Sequence, residues 1–339
     1  MIQFILNTKM KNKIDVGIIG YGVVGKRRAI SINKSRYLNL VAISDINSDN
    51  KPNDTSIAFF KSYKDLIKKT KINAIFICLP TKDAAIATKL AIKSGLNIFC
   101  EKPPATSYKA LLEIKKILPR GNKLVLIYGF NHRYHDSVIE AKKLIKSNKY
   151  GKIINFRGVY GKSTIVGFDG GWRSSKSQSG GGILIDQGIH ILDLILNFSS
   201  DFNKIYSFTS NNFWKYDVED NAYILMKNKK NQVAIVHSSA TEWRHKFRLE
   251  IGLEKALIEL KGILSSTKSY GEEELTITPK NDYSKTGSLN STTKKYLEDN
   301  SWDLEVRKFE DTILGNKKVL EGSIDQALSV MKIIDKVYK

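Results

Sequence analysis

The sequence predicts an α/β fold with two different sheets. A doubly wound parallel sheet comes first, and an α+β domain built on an open, mostly antiparallel sheet follows. Three observations predict it. Strands and helices alternate singly as far as Phe130, a glycine-rich turn separates the first strand from the first helix, and strands dominate from Lys152 onward. The domains are accordingly expected at residues 1–131 and 132–339.

In order, "KIDVGIIG" reads as a buried strand, "VVGKRRAISINKS" as a helix and "LNLVAISD" as the second strand. Then come the helix "KDLIKKT", the strand "INAIFICLP", the helix "KDAAIATKLAIKSG", the strand "LNIFCEKP", the helix "SYKALLEIKKIL" and the strand "KLVLIYGF". Single helices between strands imply parallel pairing through right-handed crossovers. After a helix over Asp136 to Ser147 the strands are "KIINFRGVY", "KIYSFTSNN", "DNAYILMK", "QVAIVHSSA", "KFRLEIGLE", "KALIELKG" and "EELTITP". Short turns such as "NKKN" and "GLEK" mark antiparallel hairpins. Phe247, Leu249 and Ile251 alternate with Lys246, Arg248 and Glu250, so one face of this sheet is covered and the other is polar or available to a partner. The polar "NDYSKTGSLNSTTKK" reads as a loop, and the helices "WDLEVRKFEDTIL" and "SIDQALSVMKIIDKVY" close the chain.

Composition narrows the function classes. A length of 339 residues with 42% hydrophobic content suits a two-domain globular protein. The net charge of +21 invites a nucleic-acid or anionic-membrane reading, but only ten of the 55 basic residues are arginines and the lysines are scattered. An A/T-rich coding bias accounts for that balance, so neither nucleic acid nor membrane is expected as a partner. A general attraction for anionic substrates survives. No run of about eighteen apolar residues is present, and the N-terminus lacks the features of a signal peptide, so a cytoplasmic protein with a short frayed N-terminus is expected. Cys78 and Cys100 close two strands without metal-type spacing and read as reduced and buried.

Gly20, Gly22 and Gly25 stand in G-x-G-x-x-G spacing between the first strand and the first helix. This is the Rossmann arrangement: the first glycine makes the tight turn, the second admits a pyrophosphate, and the third lets helix and strand pack closely. Tyr21, Val23 and Val24 complete the loop. Asp45 ends the second strand, where an acidic side chain accepts the ribose hydroxyls of adenosine. It would repel a 2′-phosphate, favouring NAD over NADP. Lys26, Arg27 and Arg28 complicate this, because a basic group there can neutralise such a phosphate; the alternative is a solvated first helical turn.

Glu101 and Lys102 leave a strand at the carboxyl edge of the sheet, where open α/β sheets bind ligands, and Pro103 and Pro104 hold the lysine in place. In "SGGGILIDQGIHILD", Asp186, His190 and Asp193 share one face of an otherwise apolar helix. Such a polar stripe is either paired internally or turned to a cleft. The three preceding glycines read as a flexible entry.

Together "GYGVVG", "EKP" at Glu101 to Pro103, "GFNHRYH" at Gly129 to His135 and "GGGILIDQGIHILD" at Gly180 to Asp193 resemble the Gfo/Idh/MocA oxidoreductases over essentially the whole chain. The resemblance implies NAD(P)-dependent oxidation or reduction of a secondary alcohol on a sugar, cyclitol or sugar nucleotide. It also implies that Lys102 and His190 bracket the reacting oxygen, with Asp186 orienting or relaying through the imidazole. The residue types suit the chemistry. An imidazole titrates near neutrality and can take the hydroxyl proton, and an ammonium can donate to a developing oxyanion. Glu101 and the backbone of Leu79, Pro80 and Thr81 are assigned to the cofactor; "LPTKDAA" lacks a histidine that many members carry after that strand. The family's frequent Asn-Arg-Arg-Phe run is replaced by Asn131, His132, Arg133 and Tyr134. Asn131 and Arg133 carry over as cleft residues, while His132 and His135 are either substrate contacts or polar surface. Trp172 can stack on a sugar, and Arg173 can grip a phosphate or carboxylate. Trp243 and Arg244 repeat that pair in a strand context, where an oligomer contact is the alternative.

The expected partner is a small sugar-like molecule, anionic in one version, and the expected assembly is a homodimer or homotetramer through the C-terminal sheet. No metal is expected, for want of a compact ligand motif. Two alternatives to a net dehydrogenase stand beside it: a redox-neutral, NAD-retaining sugar lyase or glycosidase, and a non-catalytic NAD-binding sensor.

Overall fold

The computed structural model describes residues 13–121, 124–164, 171–265, 269–280, 290–315, 319 and 321–339. Its first part runs β1 (Ile14–Ile19), α1 (Val23–Asn33), β2 (Leu38–Ser44), β3 (Ala58–Phe60), α2 (Tyr63–Lys69), β4 (Ala74–Ile77), α3 (Thr81–Lys93), β5 (Asn97–Glu101), α4 (Tyr108–Ile117) and β6 (Leu126–Gly129). The six strands are all parallel in the order β3-β2-β1-β4-β5-β6. This order reverses between β1 and β4, which opens a crevice at their carboxyl ends. Val16, Ile18, Ile75 and Phe76 are completely buried because helices cover both faces.

The second part comprises α5 (Asp136–Lys146), β7 (Ile153–Gly161), α6 (Lys176–Ser179), α7 (Ile189–Phe198), β8 (Phe202–Ser210), β9 (Asn221–Asn228), β10 (Val233–Ser239), β11 (Lys246–Leu253), β12 (Ala256–Lys261), β13 (Glu273–Pro279), β14 (Thr292–Tyr296), α8 (Ser301–Leu314) and α9 (Ile324–Val337). Eight strands form one sheet in the order β14-β13-β12-β11-β7-β10-β9-β8, antiparallel except at β7–β10. Helices α5, α7 and α9 cover its inner face. There Phe247, Leu249 and Ile251 are buried as their alternation predicts. The last helices return to the first sheet, with α8 packed on α1 and α9 on α4 and β6.

Several expectations change. Strand β3 was not predicted, and Thr292 to Lys295, read as loop, lie in β14; residues 281–289 of that stretch and the N-terminal residues 1–12 fall outside the described residues. Trp243 and Arg244 sit in a bend between β10 and β11 rather than in a strand, and Trp243 has a positive φ of 55°. The glycines of "SGGG" are not a flexible entry. A Cβ at Gly180 would strike the Thr106 backbone, at Gly181 the Tyr338 ring, and at Gly182 the Glu219 backbone, so they mark three close crossings. One helical stretch, Lys176–Phe198, is long and apolar enough by composition to span a membrane, but 83% of its apolar window lies inside the fold as the core of the second part.

Candidate active site

The glycine turn follows from the geometry of β1 and α1. Gly20 has φ +84°, and a Cβ there would lie 2.5 Å from the Cys78 carbonyl oxygen; a Cβ at Gly25 would collide with the Gly20 carbonyl. At Gly22 a Cβ would meet nothing within 4 Å, so the backbone is open to an approaching ligand. Asp45, just beyond β2, accepts from the Tyr21 amide at 2.6 Å and from the Asn47 amide at 2.8 Å, which fixes its carboxylate beside the turn. Val23 and Ile46 are 88% and 90% exposed on the two sides of this crevice, an apolar surface awaiting cover. These features fit a dinucleotide.

The basic residues of α1 resolve differently from expectation. Lys26 is solvated, Arg27 pairs with Asp299, and Arg28 is wholly buried. Arg28 donates through Nε to Glu101 at 2.6 Å and through Nη2 to Glu305 at 2.6 Å, so it cannot serve a 2′-phosphate. The same pairing engages the Glu101 carboxylate, which was assigned to the cofactor.

A cavity of about 570 Å³ opens between the two sheets. The crevice side contributes Gly22, Val23, Val24, Leu79, Pro80 and Glu101, and the far side brings Asn131, Trp172, Arg173 and His190 against Lys102. Thr81 is buried at the start of α3, outside the lining. Lys102 follows β5, and its peptide bond to Pro103 is cis. Its Nζ donates to the Asp186 backbone carbonyl at 2.6 Å and lies 3.8 Å from the Asp186 carboxylate.

Asp186 sits in one π-helical turn, Leu184–Gly188, that precedes α7. The wider turn breaks the regular spacing from which Asp186 and His190 were expected to form a pair. The Asp186 carboxylate instead accepts from Arg173 Nε at 3.2 Å and from Gln187 Nε2 at 2.9 Å, while His190 Nδ1 has no hydrogen-bond partner among the described residues. Asp186 therefore orients Lys102 and Arg173 rather than the imidazole. Burial alone would raise its carboxyl, but Lys102, Arg173 and Lys162 hold it below the ordinary carboxylate range. Burial lowers Lys102, opposed by Asp186.

His190 stacks on His132, with ring centroids 3.7 Å apart and planes 13° from parallel. His132 is fixed in turn by Asn131 Oδ1 and Tyr160 Oη, each 3.1 Å from a ring nitrogen. Burial, with Lys102 nearby, pushes His190 well below its ordinary value, and burial together with His190 does the same to His132. The polar-surface reading of His132 and His135 is overturned: both are buried and line the cavity, and His135 Nδ1 lies 2.7 Å from Glu273. Arg133 is not a cleft residue. It is buried, donates from Nε to Asp193 at 2.7 Å and from Nη1 to Gln326 at 2.6 Å, and draws Asp193 away from the expected stripe. Trp172 packs beneath Arg173, whose Cζ lies 4.2 Å from the ring centroid. Sequence reading missed Lys162, Tyr160 and Tyr270, which also line the cavity. No metal-ligand cluster occurs among the described residues.

Comparison with known proteins agrees with this architecture. An uncharacterized oxidoreductase of Bacillus subtilis is 32% identical over 146 residues, 42% of each chain. The chain spans from about 37% to 64% of the length of the curated relatives it matches. Among solved structures, myo-inositol 2-dehydrogenase from Lactobacillus plantarum is 25% identical with a TM-score of 0.79 over 96% of both chains. A levoglucosan dehydrogenase in complex with NADH and levoglucosan shares the fold, with a TM-score of 0.84 at 19% identity over 96% of both chains. Residues 14–130 match the model of an oxidoreductase family with an NAD-binding Rossmann fold, and 138–259 match its C-terminal counterpart, so the chain belongs to the GFO/IDH/MocA family.

Proposed function

We propose that the chain is an NAD-dependent dehydrogenase acting on a secondary alcohol of a sugar, cyclitol or sugar nucleotide. The observation that carries this reading is the convergence of Lys102 and His190, from different parts of the chain, on one cavity that also opens onto the glycine turn. The relatives support the substrate class through inositol and levoglucosan dehydrogenases. The glycine turn and Asp45 would hold the dinucleotide, which supplies hydride transfer at the alcohol carbon. The Lys102 ammonium, kept charged and aimed by Asp186, donates to the substrate oxygen and stabilises negative charge as it develops. His190, held neutral by burial, accepts the hydroxyl proton during oxidation and returns it during reduction. His132 braces that ring, and Trp172 and Asn131 offer a stacking face and a polar contact to the sugar.

A panel of sugars, cyclitols and sugar nucleotides assayed with NAD at 340 nm tests the reading. Stoichiometric NADH is expected with at least one member; product without net absorbance change would point to redox-neutral chemistry instead. NAD is preferred to NADP in this reading because the Asp45 carboxylate, fixed beside the glycine turn, would repel a 2′-phosphate, while Arg27 and Arg28 are already held by Asp299, Glu101 and Glu305. Asp45→Ala should reduce the NADP-over-NAD ratio of dissociation constants by roughly tenfold, about 1.4 kcal/mol. An unchanged ratio would place ribose recognition elsewhere.

The assembly we propose is a homodimer or homotetramer built on the open sheet face. Tyr206, Leu225 and Ile235 are cross-strand neighbours on that face, as are Phe208 and Tyr223, and all five are about half or more exposed. An apolar patch of this extent suits a second sheet. Replacing Phe208 and Leu225 together by glutamate should yield a monomer by light scattering, and an unchanged mass would remove this face from the assembly. A cytoplasmic location is the natural setting for NAD chemistry and for the free thiols of Cys78 and Cys100.

A further inference from the structure

Lys162 follows β7 directly and stands on the cavity wall beside Arg173 and Tyr160. The residue is only 7% exposed, and among the described residues its Nζ has neither a hydrogen bond nor an ion pair. Its backbone is pinned, the amide donating to the Ser239 carbonyl at 2.8 Å and the carbonyl accepting from the Glu242 amide at 3.0 Å, so the side chain starts from a fixed point at the sheet's end.

The other charges around the cavity are already matched. Glu101 and Glu305 answer Arg28, Asp299 answers Arg27, and Glu273 answers His135. Asp186 faces Lys102, Arg173 and Lys162, with Glu101 a lesser influence on Lys102, and its oxygens already take Arg173, Gln187 and the nearby Lys102. Three cations against one carboxylate leave the pocket with positive charge in excess. Burial pushes Lys162 down to about 8, with Asp186 pulling the other way and Lys102 and Arg173 adding to the fall. A buried ammonium without a partner destabilises a fold, so its place here calls for a ligand that completes it.

We infer that Lys162, with Arg173 beside it, binds an anionic substituent of the substrate, a carboxylate or a phosphate on the sugar. The inference rests on the dehydrogenase reading for its sugar but on Lys162 alone for the charge. Lys162 contributes a point charge, and Arg173 contributes the Nη donors not used on Asp186. A neutral sugar of the same shape would leave both cations uncompensated. Charge thus becomes the basis of selection.

The test is calorimetric binding to the NAD-saturated full-length chain, with glucuronate, glucose 6-phosphate, glucose and inorganic phosphate as probes. At least one anionic sugar should bind tenfold or more tighter than glucose, and which one does so separates carboxylate from phosphate recognition. Lys162→Met should weaken that sugar at least tenfold, and Lys162→Arg should retain most of the affinity. Lys162→Met should also raise the melting temperature of the ligand-free chain by roughly 2 °C or more, since it removes an unpaired buried charge. A lysine needed for folding would lower it.

Equal binding of neutral and anionic sugars, or no binding of either anionic sugar, would overturn the inference. So would unchanged affinity in Lys162→Met, or inorganic phosphate binding as tightly as glucose 6-phosphate. NAD binding is titrated separately by fluorescence. Failure there counts against the dehydrogenase reading, whereas NAD binding without anion preference counts against Lys162 alone.

Discussion

Lys102→Ala is expected to lower turnover by at least about a hundredfold while leaving NAD affinity within a few-fold of wild type. The ammonium is anchored at 2.6 Å to the Asp186 carbonyl, so its position is set by the turn before α7 while its backbone follows β5 of the sheet that carries the glycine turn. Its removal takes away the donor for the substrate oxygen but none of the Gly20 to Gly25 contacts. His190→Ala should cost a similar factor, because it removes the imidazole that lines the cavity stacked on His132. The pH profile separates this role from a packing role. Burial holds His190 well below its ordinary value, so the neutral base persists as pH falls through 6.5 and the wild-type rate should show no acid limb there. Wild-type-like turnover in either variant would defeat the role assignment, and an acid limb near 6.5 would place the base on a less buried group.

What the sequence reveals depends on how local each feature is. The glycine turn was legible because Gly20, Gly22 and Gly25 stand in fixed spacing within one strand–turn–helix unit, where Gly20 takes a positive φ and Gly25 crosses the Gly20 carbonyl. Most strands were legible from their apolar runs or alternation. Strand β3 has only three residues and none fully buried, and β14 reads "TTKKY", with lysines of the kind that protect sheet edges. Their identity as strands comes from the neighbours β2 and β13, which lie elsewhere in the sequence.

Site residues divide along the same line. Lys102 and His190 were legible as candidates and line one cavity, but the π-helical turn is a tertiary adjustment that periodicity cannot show, and it sends Asp186 to the cations rather than to the imidazole. Arg133 was read as a cleft residue on its chemistry, yet its partner Asp193 lies sixty residues away and takes it into the core. Lys162 was hidden among many lysines. Its sequence signal was slight: the residue just after the strand "IINFRGVYG".

Arg28→Ala should destabilise the fold by about 3–5 kcal/mol, a large share of the roughly 5–15 kcal/mol typical of a native protein. The guanidinium lies between the rings of Phe99 and Trp302, 4.4 and 4.2 Å from their centroids, and joins Glu101 at the end of β5 to Glu305 on α8. Deleting it leaves two buried carboxylates with no cation between them. Burial, with Glu101 adding to it, already raises Glu305 to about 7, even though Arg28 pulls it down. Without Arg28 that group rises further. A carboxyl raised on folding binds protons more readily in the native state than in the unfolded chain, so its contribution is fullest below its ordinary value near 4.5 and is lost as pH rises through the native value. The variant's deficit against wild type should therefore be smaller at pH 5.5 than at pH 8 in urea unfolding. A loss under about 1 kcal/mol, or one equal at both pH values, would show that the triad does not hold α1, β5 and α8 together. Because Lys102 follows Glu101 directly, folded Arg28→Ala should also lose turnover at pH 8, through a misplaced lysine rather than a missing one.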